Sequence, residues 1–244
     1  MDKKTQLLLK DKKAMKDEGY FIVDTEKILE EVLDAGIKAE RFFYDNKQIA
    51  EKFPALIPVA EKVKSNDISR FASVKTPAGF LALCRAPQKT LNDIKTAHNI
   101  ILLDGIQDPS NLGAIIRSGA AFGFNAYLLT NGCAGLYIEK TIRASAGAVF
   151  KVNTKTISVE EAADFAREYS FFVTDVHDGI DIKKVKIEGK TVLVFGSEGM
   201  GVSEDIKKLS KNKIKIHYPG DVESLNVAAA AAVIFYAFSS GGHN

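Results

Sequence analysis

Residues 103–124 read LDGIQDPSNLGAIIRSGAAFGF, and this stretch decides the fold class. An apolar run ending at Leu103 stops at Asp104-Gly105, and the chain restarts in a helical pattern. Asp108 has the short acceptor side chain of an N-cap. Pro109 suits the first helical position, where an amide is not needed, and Gly123 suits the stop. The helix therefore starts just beyond the carboxyl end of a strand. Open α/β sheets bind ligands at that edge, and a helix N-terminus adds unpaired amides and partial positive charge. Arg117 lies one turn after Gly113. Helical side chains lean toward the N-terminus, so its guanidinium is expected to run back over the glycine toward the same edge, with room left by Gly113, Ala114 and Ala121. A solvent-facing arginine of no consequence is the alternative, and Asn111 reads equally as a simple capping residue.

Outward from this stretch the pattern is strand and helix in alternation. Strands are expected at 100–103, 126–129, 149–152, 171–174, 192–195 and 214–216. Helices are expected up to residue 122 and at 137–145, 159–168 and 225–238. Such alternation predicts a mainly parallel sheet covered on both faces. Upstream, a short amphipathic helix at 26–36, a strand at 41–44, helices at 51–53 and 65–72, and a strand at 79–84 after the Thr76-Pro77 turn signal describe a small α/β unit. Residues 85–95 are polar and irregular and read as a linker, which divides the chain into domains at 1–88 and 96–244.

With 244 residues, 46% of them hydrophobic and 26% charged, the chain has the composition of a packed globular protein and not of a disordered one. Its longest apolar stretch, 227–238, is too short to span a bilayer, so a cytoplasmic protein with no membrane association is expected. Cys84 and Cys133 stand far apart without CxxC spacing or clustered histidines, which points to neither a zinc site nor a disulfide. Net charge is +2, yet six lysines crowd the first 16 residues (Lys3, Lys4, Lys10, Lys12, Lys13 and Lys16). They suit either phosphate contact or a solvated helix end.

Two further stretches carry chemistry. Residues 192–203, VLVFGSEGMGVS, run from an apolar strand into Gly196, Glu198, Gly199 and Gly201. Such glycines let backbone approach a ligand closely. Neither P-loop nor dinucleotide spacing is present. Residues 216–236, IHYPGDVESLNVAAAAAVIFY, contain a Pro219-Gly220 turn, then Ser224 as a candidate cap for an alanine-rich helix that another backbone can approach.

In this order and at these separations, the three stretches resemble the three motifs of the SpoU (TrmH-type) RNA 2′-O-ribose methyltransferases, a branch of the knotted SPOUT superfamily. The resemblance covers Ile100 to about Phe238. More loosely, 12–36 and the turn 76–79 resemble the RNA substrate-binding domain of many rRNA-directed members. The resemblance implies a small α/β RNA-binding domain followed by a trefoil-knotted methyltransferase domain. The donor S-adenosylmethionine would lie in a pocket of knotted loops, contacted at Gly196, Ile216 and Leu225, with Thr130 and Asn131 as further walls. Asn111, Arg117, Glu198, Ser224 and Asn226 occupy the positions the family uses for catalysis and RNA positioning. A homodimer using the alanine-rich helix, no metal, and an rRNA substrate in preference to tRNA are also implied. The chain departs from the family at His217-Tyr218, where relatives commonly have Pro-Met, and at Thr25-Glu26, where front domains often show Glu-Gly.

Arg117 is the family's proposed proton acceptor. A guanidinium stays protonated at neutral pH and is a poor base, so phosphate clamping and polarisation of the 2′-oxygen are the firmer expectation. Glu198 is expected to orient Arg117 or the donor loop, and Ser224 and Asn226 to hold Arg117 in place. A non-catalytic RNA-binding protein of the same fold is the main rival. The cluster Asp175, Asp178 and Asp181 weakly suggests a metal-dependent phosphohydrolase instead.

Overall fold

The computed structural model describes residues 1–74, 76–186 and 189–240. The chain divides into two compact units, Met1–Gln88 with Tyr137–Arg143, and Lys89–Leu136 with the chain from Ala144 onward.

In the first unit the elements are α1 (Lys3–Lys10), α2 (Lys12–Asp17), β1 (Tyr20–Val23), α3 (Glu26–Asp34), β2 (Ala39–Tyr44), α4 (Lys47–Lys52), β3 (Ala60–Lys62), α5 (Ser65–Phe71) and β4 (Phe80–Arg85). Asp2 and Asp11 cap α1 and α2 by accepting from backbone amides, so two short lysine-rich helices form with their charges outward. The strands lie in the order β1-β4-β2-β3, with β4 antiparallel to both neighbours and β2 parallel to β3. Phe80 to Cys84 are all buried, as expected of a central strand reading as a continuous apolar run. Buried Asp24 accepts from the Ser73 amide and hydroxyl and from the Val74 amide, which anchors the loop between α5 and β4. The short helix expected at 51–53 is longer and earlier, because the Asn46 side chain caps it from the front. The brief strands β1 and β3 had no turn-bounded periodicity to reveal them.

Chain order continues with α6 (Leu91–Lys95), β5 (Asn99–Asp104), α7 (Pro109–Ala121), β6 (Ala126–Thr130), α8 (Glu139–Ala144), β7 (Asn153–Ile157), α9 (Val159–Phe165), β8 (Ser170–Thr174), β9 (Ile180–Asp181), β10 (Thr191–Gly196), α10 (Glu204–Lys207), β11 (Asn212–Lys215) and α11 (Val227–Ser240). Residues of α8 up to Arg143 group with the first unit. The second unit is built on a sheet of order β7-β6-β5-β10-β8-β11-β9, parallel in every ladder. Its central strands β5 and β10 are buried apart from the half-buried first residue of β5, Asn99, and are apolar from Ile100 to Leu103 and from Val192 to Phe195. On one face α11 packs against α7, where Phe235 meets Phe124 and Phe195 with ring centroids 4.9 and 5.4 Å away. No described helix is long and apolar enough to cross a membrane.

Two local expectations are corrected. The strand expected at 149–152 is a 3₁₀ turn at Ala148–Phe150, and the strand begins only at Asn153. Ala146 and Gly147 hold positive φ of 48° and 83°, which turns the chain tightly and buries Val149 and Phe150 as a plug instead of a ladder. β7 itself is an edge strand, polar in sequence because of its five residues only Thr154 and Ile157 are buried. The supposed linker 85–95 contains α6, started by a reciprocal cap between Thr90 and Asp93.

Candidate functional site

Strand order positions the site. β10 is inserted between β5 and β8, and β11 lies beyond β8, so the carboxyl ends of β8, β10 and β11 are neighbours. The loops leaving those ends, together with α11, enclose a cleft of about 540 Å³. Gly196, Ile216 and Leu225 all line it, from three separate stretches of sequence. Ser224 and Glu198 line it as well.

The loop after β10 is closed on itself. Ser197 and Gly201 exchange backbone hydrogen bonds of 3.1 and 2.9 Å, and the Met200 amide donates to Ser197 Oγ at 3.2 Å. Gly196 is required: a Cβ there would lie 2.0 Å from the Gly201 carbonyl carbon and 2.1 Å from the Val202 nitrogen. The close backbone approach expected of a glycine is thus made first to the loop itself.

Beside the cleft, three side chains far apart in sequence meet. Asn111 Nδ2 donates to Glu198 Oε1 at 2.9 Å. Asn226 Nδ2 donates to the same oxygen at 2.6 Å and to Asn111 Oδ1 at 3.1 Å. The Asn226 amide is oriented by its other end, where Oδ1 accepts from the Ala228 and Ala229 amides at 3.0 and 3.3 Å and caps α11. With the oxygen committed to the helix, the NH₂ must face the carboxylate. Asn226 is therefore the cap that was expected of Ser224. Asn111, for its part, leaves capping of α7 to Asp108 and reaches across to Glu198.

Arg117 is exposed and lies outside this network; its side chain makes no hydrogen bond or ion pair with the described residues. Six positions along a helix of 3.6 residues per turn carry it to a different side of α7 from Asn111. The expectation that Ser224 and Asn226 hold Arg117 in place is corrected accordingly: Asn226 bonds to Glu198 and Asn111. Glu198, expected to orient either Arg117 or the donor loop, bonds to the two asparagines and not to Arg117.

Thr130 and Asn131 are not walls of the cleft. Thr130 ends β6 and Asn131 follows it, and β5 separates β6 from β10. The Thr130 hydroxyl serves another purpose, accepting from the Gly105 amide at 3.0 Å and donating to Asp104 Oδ1 at 2.9 Å. Conversely, the cleft includes residues that sequence reading did not assign to it, among them Thr174, Asp175, His177 and Glu223. Thr174 to His177 follow the end of β8, so the rule that ligands sit at strand carboxyl ends was a signal for them. Tyr218 belongs to the pair His217-Tyr218 that departs from the family: its hydroxyl donates to the Val222 and Glu223 carbonyls at 3.4 and 3.2 Å and folds its loop, while the adjacent His217 is exposed and outside the lining.

The acidic cluster is engaged in local structure. Asp175 accepts from the His177 and Asp178 amides, Asp178 pairs with Lys213 at 3.0 Å, and Asp181 accepts from the Lys183 amide.

The sequence profile of the SpoU rRNA Methylase family matches residues 98–236. A curated relative, the 23S rRNA (guanosine(2553)-2′-O)-methyltransferase RlmP of Bacillus subtilis, is 30% identical over 230 residues, covering 92% of this chain and 90% of the relative. Two solved structures share the fold. The AdoMet-bound rRNA methyltransferase from Sinorhizobium meliloti aligns with TM-score 0.85 at 23% identity over 97% of this chain and 93% of its own. The SpoU methyltransferase AviRb from Streptomyces viridochromogenes, in complex with AdoMet, aligns with TM-score 0.86 at 22% identity over 98% of both chains. With the family profile spanning every strand of the parallel sheet and a relative of this identity aligned over 92% of the chain, the chain belongs to the SpoU rRNA methylase family.

Proposed function

We propose that this protein transfers a methyl group from S-adenosylmethionine to a ribose 2′-hydroxyl in structured RNA, large-subunit rRNA being the substrate class. The observation that carries this reading is convergence: Gly196, Ile216 and Leu225 share one cleft, and Asn111, Glu198 and Asn226 are hydrogen-bonded at its side. The RNA class rests on the RlmP relative, whose match runs through both units.

The cleft suits the donor. Its volume of about 540 Å³ falls within the roughly 300–1,000 Å³ usual for small-ligand sites. Ile216, Leu225, Val227 and Ile234 offer apolar walls for a purine, and the loop backbones offer directional hydrogen bonds. Three carboxylates, Asp175, Glu198 and Glu223, against two ammonium groups, Lys207 and Lys215, favour a ligand carrying a net positive charge. When bound, the donor supplies an electrophilic methyl on a sulfonium, and the acceptor oxygen must approach in line.

The protein's part is placement. Asn111 and Asn226 fix Glu198, and through it the loop after β10, while Ser224 presents a hydroxyl to the same cleft. Arg117, a permanent cation on an exposed face of α7, clamps an RNA phosphate and polarises the 2′-oxygen. A guanidinium keeps its proton at neutral pH, which argues against a role as the proton acceptor.

The finer features follow the same reading. The return of the chain from β11, at the far side of β8, to an α11 packed on α7 supports a trefoil-knotted C-terminal unit. Val233 and Tyr236 on α11 are exposed, with Tyr236 edge-on to Phe122, which supports a homodimer through this helix. The first unit, with Lys3, Lys4, Lys10, Lys12, Lys13 and Lys16 all exposed on α1 and α2, is the RNA substrate-binding domain.

The test is incubation with labelled donor and, separately, unmodified rRNA and tRNA, followed by identification of the methylated nucleoside by mass spectrometry. A 2′-O-methylated nucleoside in rRNA is expected. Donor-independent RNA binding with no methylated product would instead establish a non-catalytic RNA-binding protein. Arg117→Ala is expected to lower methylation about 100-fold or more, with donor affinity by calorimetry unchanged. A fully active variant would remove Arg117 from the mechanism.

A further inference from the structure

Asp104 belongs to none of the groups assigned so far, yet it is one of two buried carboxylates among the described residues, 8% exposed at the carboxyl end of β5. Both of its oxygens are committed. Oδ1 accepts from the Thr130 hydroxyl at 2.9 Å, and Oδ2 accepts from the Ser203 amide at 2.7 Å. Thr130 is itself held by the Gly105 amide at 3.0 Å, which fixes the direction of its proton toward Asp104.

Placement gives these bonds a purpose. In the β5–β10 ladder Asp104 stands opposite Gly196, where the loop of residues 197–202 begins. The Ser203 amide that its side chain grips is where the same loop ends and α10 starts. One residue thus fastens both ends of the loop, its backbone registered with the first and its carboxylate bonded to the last. Between those ends lie the Ser197–Gly201 closure and Glu198. A carboxylate this buried is retained only with its hydrogen bonds made, so loss of either arm is felt at the loop.

We propose that Asp104 is a positioning residue for the donor cleft, acting with Thr130 as a staple that holds the Gly196–Ser203 loop in its donor-binding shape. The inference rests on the reading of this cleft as the S-adenosylmethionine site. Asp104 touches no reacting atom; it acts through the loop.

The experiment measures donor affinity by calorimetry, and KM for the donor and kcat by methylation of rRNA, on the full chain. Wild type, D104A, D104N and T130V are compared, each checked by circular dichroism and melting. D104A is expected to raise donor Kd and KM about tenfold or more, with kcat at saturating donor changed much less, because a charge-assisted hydrogen bond to a loop amide is removed. D104N, whose Oδ1 still accepts from Ser203 and whose Nδ2 donates to Thr130, is expected to restore both to within about threefold. T130V, which keeps the shape and removes the hydroxyl, is expected to fall between them and carries the test if D104A does not fold. A folded D104A or T130V with wild-type Kd and KM would overturn the staple. A lowered melting temperature with Kd and KM unmoved would do so equally, since that is what a merely structural role yields. Wild type that binds no donor would instead overturn the donor-site reading, a different failure.

Discussion

At the scale of single residues, Asn226 does two jobs with the two ends of one amide, and they can be separated. Its oxygen caps α11 and its nitrogen holds Glu198 and Asn111. Asn226→Ala loses both, and is expected to destabilise the protein by about 1 kcal/mol while also lowering methylation. Asn226→Asp keeps an acceptor of equal capping quality but puts a second negative oxygen against Glu198. That variant is expected to melt within about 1 kcal/mol of wild type and still lose activity more than about tenfold. Chemical denaturation beside a methylation assay checks both. Wild-type activity in Asn226→Asp would show that the nitrogen's bonds do not matter to the reaction. No local pattern separates these jobs: Ser224 looked the better cap in sequence, and Asn226 won because the first turn of α11 begins at Val227, immediately after it.

At the scale of elements, the joint between α7, α11 and β6 explains why a glycine interrupts a helix. A Cβ on Gly119 would lie 2.1 Å from the Tyr127 hydroxyl oxygen and 3.2 Å from Phe235 Cε2. Tyr127 is fully buried and its hydroxyl donates to the Ile116 carbonyl at 3.3 Å, so the ring has little room to give. Gly119→Ala is therefore expected to destabilise by about 1–3 kcal/mol, although alanine is intrinsically the better helix former. Adding Tyr127→Phe removes the atom in the way and should recover part of that loss, a coupling of about 0.5 kcal/mol or more. Denaturant melts of the two single variants and the double variant give this coupling directly; strict additivity would refute the account. Element scale is also where sequence reading succeeded most. Asp108, Pro109 and Gly123 bound α7 as their residue types require, with Gly123 at φ +86°. It failed at β7, where a left-handed turn at Ala146 and Gly147 decided the geometry and the apolar run beside it misled.

At the scale of the whole molecule, the proposed division of labour separates RNA affinity from donor affinity. Replacing Lys12, Lys13 and Lys16 of α2 with alanine is expected to weaken RNA binding. For each phosphate that a lysine no longer neutralises, the slope of log affinity against log salt should become shallower by about 0.7–0.9. Donor affinity should stay unchanged. Filter binding across a salt series together with calorimetry checks this, and an unchanged slope would return those lysines to the role of a solvated helix end. Taken by itself, the sequence determined what depends on near neighbours: the strand–helix alternation, the caps and glycine stops, and the three stretches that carry the chemistry. Side-chain period, capping and turn preference act over a few residues, so they are legible in a linear string. Only the tertiary structure decided which residues share the cleft, that Asn111, Glu198 and Asn226 bond across separations of 28 to 115 positions, and that Thr130 serves Asp104 instead of lining the pocket. Those outcomes follow from the insertion of β10 between β5 and β8, a choice of strand order made by the packing of the whole sheet and written in no local pattern.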